Sequence, residues 1–174
     1  SSWTNSRWKT SCGASRTDFD NLGGRGGVKS LVVALCLLAC ASASDASMAS
    51  REDAMRMVGA AARLFESVGE DSALRVLSDT AGPFVQGELY VFVYDTHGVV
   101  VAHARNPKLV GKAMLDIPDV DGRPFRREIL KVARSAGLGW VDYRYRNPVS
   151  MRIERKSTWV RRVGGFVICC GVYL

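Results

Sequence analysis

Histidine is nearly missing from this chain: of 174 residues only His97 and His103 carry an imidazole. Two histidines cannot build a His-rich metal centre, and neither stands from a carboxylate at a spacing that resembles a metal site. A G-x-S-x-G elbow and a phosphate-binding glycine loop are missing as well. These absences argue against an enzyme and imply no metal and no cofactor. Cysteine adds little, because three of the five, Cys12, Cys36 and Cys40, fall within the first 43 residues. The remaining pair, Cys169 and Cys170, is adjacent. Neighbours on a strand point to opposite faces and bridge each other only with strain, so the pair reads as two small buried hydrophobes rather than a disulfide framework.

Long apolar runs are lacking too. The most apolar stretch, Ser30 to Cys40, is far shorter than the ~20 residues a membrane-spanning helix needs. It follows Lys29 and precedes Ala41-Ser42-Ala43, the basic, apolar and small-x-small order of a secretory signal peptide over residues 28–43. Residues 1–27 are polar, dotted with glycine and lack an initiating methionine. We read them as upstream sequence translated in error, with Val28 as the initiator. Leu37-Leu38-Ala39-Cys40 also fits a loose lipobox, so membrane attachment is expected only if Cys40 is lipidated. Without residues 1–43 the formal charge of +7 falls to +4, from 19 basic and 15 acidic residues. Nucleic-acid binding thereby loses its main support.

The remaining segment, 44–174, is long enough for one domain with a core, and its hydrophobic pattern changes period along the chain. Ala54, Val58, Ala61 and Phe65 recur at helical spacing, Ser50 and Asp53 form a capping pair, and Gly69 stops the helix. A shorter helix is expected over Asp71–Ser78. Period two then takes over in LYVFVYD and VVVAHA, joined by the turn Asp95-Thr96-His97-Gly98 as a hairpin. By alternation His103 falls on one face with Val99 and Val101. Arg105 to Gly122 holds two prolines and two glycines and reads as an ordered loop. Pro124 opens a helix through Ala136 with Gly137 as its stop, and GWVDYRYR, MRIERKSTWVRRV and FVICCGVY complete the chain as strands. The fold class is α+β: a PAS-like antiparallel sheet of about five strands with a long N-terminal helix and a loop-helix crossover.

Those segments carry an ordered set of motifs: a YVFVYD hairpin, the loop AHARNPKLVGK, the helix entry DVDGRPF, then GWVDY, ERKSTWV and CGVY. Together, from Glu88 to Tyr173, they resemble the single Cache (type 2) family of extracytoplasmic sensors. Ala104-Arg105, Tyr145, Arg155 and Trp159 depart from the family pattern near the expected pocket. The resemblance implies a domain that binds a small organic ligand without converting it. His103 is read either as a satisfied core histidine or as an imidazole hydrogen-bonded to a ligand carboxylate or carbonyl. Lys156 is read either as a solvated lysine or as the ligand's counter-charge. Tyr143, Tyr145 and Tyr94 supply hydroxyl-tipped walls, and Phe92 either packs the core or lines the site. The seven basic residues from Arg144 to Arg162 read as a solvated face, or else as a docking surface for an acidic partner.

The expected protein is therefore a periplasmic or secreted sensor or binding domain for a small organic anion, with neither a second membrane span nor an output domain expected within 44–174. It would pass its signal to a membrane sensor protein; as an alternative, it docks on a receptor or kinase with a vestigial pocket. Intact-mass analysis of the exported protein is expected to place its first residue at Ser44. A lipid-labelled Cys40, lost in Cys40→Ser, would show the lipoprotein route, and residues 1–27 found in the intact mass of the uncleaved precursor would overturn the Val28 assignment.

Overall fold

The computed structural model describes residues 49–174; the upstream, signal-peptide and lipobox readings fall on residues outside that range. Helix α1 spans Arg51–Val68 and α2 spans Glu70–Leu77. The strands are β1 (Val85–Gln86), β2 (Leu89–Asp95) and β3 (Val100–His103). A 3₁₀ turn at Pro107–Leu109 and helix α3 (Phe125–Ser135) lead to β4 (Leu138–Arg146), β5 (Ile153–Val163) and β6 (Phe166–Tyr173). Among the described residues no helix is long and apolar enough to cross a membrane.

The six strands form one antiparallel sheet in the order β1-β2-β6-β5-β4, with β3 also paired to β2. Both β1 and β3 use the same edge of β2: the Val91 amide donates to the Phe84 carbonyl at 3.1 Å, and the Val91 carbonyl accepts from the Ala104 amide at 3.0 Å. The expected strand count of about five omitted only two-residue β1. Short links join β2 to β3, β4 to β5 and β5 to β6, so these pairings are antiparallel hairpins. Asp95 closes the first, its carboxylate accepting the His97 and Val99 amides at 2.8 Å each, with Gly98 at φ 87°.

Helices cover both faces of this sheet, and that explains why β2 is buried along six of its seven residues. On one face α1 lays down Ala54, Val58, Ala61 and Phe65 against Val91, Val93, Ile168 and Cys170. The capping pair is formed as its spacing predicts: the Asp53 amide donates to Ser50 Oγ at 3.1 Å, and the Ser50 amide donates to Asp53 Oδ2 at 2.9 Å. On the other face α3 buries Phe125, Ile129, Leu130 and Ala133 over Phe92, Tyr94, Val141 and Cys169. Cys169 and Cys170 thus stand in separate cores, both as buried free thiols.

Strict alternation fails at one place. Phe92 pairs with His103 and Val93 with Ala102, but Tyr94 pairs with Val100, so Val101 is an extra residue in β3. His103 consequently shares its face with Val100, and Val101 packs on the α1 side. The expected grouping of His103 with Val99 and Val101 is corrected by this bulge.

Gly171 on β6 is a point of close approach. A Cβ there would overlap the Thr158 hydroxyl and lie 2.7 Å from Lys156 Cε. Gly171→Ala is expected to lower the unfolding free energy by about 1–3 kcal/mol in urea titrations. Gly165→Ala, with nothing within 4 Å of its added Cβ, should stay within ~0.5 kcal/mol of wild type.

Candidate functional site

The α3 face of the sheet carries a cavity in two parts. Its inner chamber is walled by Phe92, Tyr94, Phe125 and Tyr143, with Val100 and Leu109, and has a free volume of about 10 Å³, close to the room one water needs. The outer chamber opens to solvent and measures about 600 Å³, within the ~300–1,000 Å³ of small-molecule sites. Tyr90, His103, Met114, Arg126 and Tyr145 line both chambers and form the boundary between them. Tyr143 stacks on Phe125 with ring centres 3.9 Å apart, and its hydroxyl is bonded to Thr158 Oγ1 at 2.9 Å. Burial raises the phenols of Tyr90, Tyr94 and Tyr143, so their hydroxyls stay protonated.

His103 reaches the boundary because the bulge turns it there. Its Nδ1 accepts the Asn106 amide at 3.0 Å and the Arg105 amide at 3.2 Å. An imidazole accepting at Nδ1 is neutral and carries its proton on Nε2, leaving that N–H to donate. Burial, and then the nearby Lys156 charge, lower its pKa to about 4. His103 is therefore an uncharged donor at neutral pH.

Arg126 sits in the first turn of α3 and is only 5% exposed. One guanidinium nitrogen donates to the Ile117 carbonyl at 2.5 Å, and the group lies 4.2 Å over the Phe125 ring. Its Nε is buried with no hydrogen-bond partner. A desolvated guanidinium with an idle donor at a cavity boundary is arranged to meet an acceptor, best of all an anion.

Lys156 is 1% exposed. From β5 its chain crosses the sheet above Gly171, where no side chain stands in the way, and its Nζ donates to the Tyr90 hydroxyl at 2.8 Å and the Tyr173 hydroxyl at 3.3 Å. Tyr173 in turn donates to the Arg146 carbonyl at 2.9 Å. The ammonium also lies 4.0 Å from the Tyr90 ring centre and 4.7 Å from that of Tyr173. Burial lowers its pKa to about 7.

Of the residues singled out in the sequence, His103 and Tyr145 stand at the boundary, and Phe92, Tyr94 and Tyr143 wall the inner chamber. Lys156 lines neither chamber and is held behind Tyr90. The other six basic residues between Arg144 and Arg162 are exposed, which leaves Lys156 as the buried member of the run. Sequence reasoning passed over Arg126 and took Tyr90 only as a member of an aromatic row, not as a site residue. Tyr90 had a signal, since it alternates with Phe92 and Tyr94. Arg126, flanked by Arg123 and Arg127, looks like any solvated arginine of a first helical turn.

Known proteins resemble this chain in sequence and in fold. A family model for the Cache domain matches residues 52–174. A periplasmic sensor domain of a chemotaxis protein superposes with a TM-score of 0.60 at 27% identity, covering 69% of this chain and 92% of that one. A Cache chemosensory domain solved for its recognition of carboxylic acids superposes with a TM-score of 0.62 at 26% identity, covering 71% and 92%. The methyl-accepting chemotaxis protein McpP of Pseudomonas putida is 29% identical over 87 residues, which are 49% of this chain. The chain spans only 16% of the length of that curated relative. With a family model matched over most of its length and a fold shared with solved Cache chemosensory domains, the chain belongs to the Cache domain family of sensor domains.

Proposed function

We propose that this domain is the extracytoplasmic sensor for a small organic carboxylate, which it binds without chemical conversion. The observation that carries the reading is Arg126: a buried guanidinium whose Nε has no partner, at a boundary that neutral His103 and Tyr145 share. A carboxylate there would accept from Arg126 and from the His103 Nε2–H, a charge-assisted pair that water could not match in so enclosed a site. The solved carboxylic-acid-binding domain supports the ligand class. The chemotaxis relatives support a role as the sensing part of a membrane receptor system.

Binding to the native state alone must stabilise it, by about 2.7 kcal/mol at a hundredfold excess over Kd. A panel of small carboxylates, amino acids and amines should therefore single out carboxylates through a Tm rise of several degrees. Arg126→Gln should weaken the best of them about 10- to 100-fold, and His103→Ala should weaken it by a smaller factor. If no carboxylate raises Tm, or if amines do so instead, the assignment fails.

The pH dependence has a definite sign. In the free protein Lys156 has a pKa of about 7, and a nearby anion favours its charged form, so the bound pKa is higher. Below pH 7 Lys156 is charged in both states and contributes no slope. Between pH 7 and the bound value, binding takes up a proton and affinity falls as pH rises. Titration calorimetry from pH 6 to 9 should show a plateau and then a decline of several-fold, which Lys156→Met abolishes. A rise in affinity above pH 7 would contradict the arrangement.

A further inference from the structure

We propose that the ligand is an amphipathic organic acid whose apolar tail, longer than that of acetate or propionate, lies outward in the 600 Å³ chamber. This inference rests on the carboxylate reading above and names the class of acid. The direction of the tail follows from where space exists. Inward of Arg126 and His103 there is a free volume of about 10 Å³, and the walls there are the packed rings of Phe92, Tyr94, Phe125 and Tyr143, each no more than 5% exposed. Nothing larger than a water fits on that side.

The outward side is of the opposite character. Beside charged residues such as Arg144 and Arg146, its wall includes Ile117, Val120, Met151 and Ile153, which are 49%, 61%, 58% and 45% exposed. Single exposed apolar residues are ordinary, but these four stand around one opening, next to a cavity whose deep end holds an unpaired cation. They come from two separate loops, 115–123 and 147–152, and the start of β5. Such a rim is complementary to an alkyl or aryl tail leaving a carboxylate anchored at Arg126.

Met151 gives a second, independent observation. It has φ 61°, the single non-glycine residue with positive φ among those described. Its turn is closed by Asn147, whose amide donates to the Arg152 carbonyl at 2.8 Å and whose Oδ1 accepts the Val149 amide at 2.9 Å. Glycine or asparagine would adopt this conformation with less strain. A methionine held there instead presents a flexible, polarisable chain to the mouth of the cavity, a side chain suited to covering tails of varied shape.

The test is titration calorimetry of the full chain with acetate, butanoate, hexanoate and octanoate, each below its micellar concentration, and with 1-octanol. Affinity is expected to rise along the acid series by up to about 4-fold per methylene, with 1-octanol at least 30-fold weaker than octanoate. Met151→Gly should lower the octanoate-to-acetate affinity ratio 3-fold or more, while its unfolding midpoint stays at or above that of wild type. Affinity that is flat or falling beyond butanoate, with acetate binding still lost in Arg126→Gln, overturns the tail and leaves the carboxylate reading standing. Octanol binding as tightly as octanoate overturns the head-and-tail arrangement. Failure of every acid to bind sinks both readings together.

Discussion

Two cations, Lys156 and Arg126, are held out of water on one face of a single sheet, and among the described residues neither forms an ion pair. Burying a charge unpaired is among the most costly things a fold can do. Much of the surrounding chemistry answers that constraint. Tyr90 and Tyr173 turn both their hydroxyls and their ring faces to the Lys156 ammonium. The Ile117 carbonyl and the Phe125 ring do the same for Arg126. His103, beside both, stays uncharged because a third positive charge would add repulsion to the desolvation it already bears. The two cations are not equivalent, however: the Lys156 donors are engaged by phenols, whereas Arg126 keeps one idle donor at the boundary of the cavity.

The architecture was readable from the sequence wherever its physics is local. Period-two alternation in LYVFVYD and DYRYR correctly divides the faces of β2 and β4, because each strand packs a core on at least one side. The Ser50–Asp53 pair marks the start of α1 to the residue. The bulge at Val101 was not readable, since an extra residue within VVVAHA leaves composition and hydrophobicity unchanged and shows only in the partner strand's register. That one residue decides which neighbours His103 has. The motif resemblance supplied what periodicity could not, namely the expectation of a ligand pocket at His103.

The site was legible only in part for a similar reason. Alternation placed Tyr143 and Tyr145 on one face of their strand but left the direction of Lys156 open, because seven basic residues in a run look alike until their strand neighbours are known. What distinguishes Lys156 is Gly171 across the ladder on β6, the gap that admits its chain. Arg126 is hidden more deeply still. Its burial comes from the residues around Ile117 closing against α3, a contact no helical or strand period encodes.

The adjacent cysteines bear on the chemistry of the environment this fold tolerates. Cys169 lies in the core under the pocket and Cys170 in the core under α1, where its sulfur is 3.6 Å from Met57 Sδ. Burial raises both thiols, Cys170 to about 12, so neither offers a thiolate to oxidants, and a strand backbone holds them pointing apart. With both thiols buried and held apart, the described domain offers an oxidant no thiolate, and its shape is kept by packing and not by a crosslink.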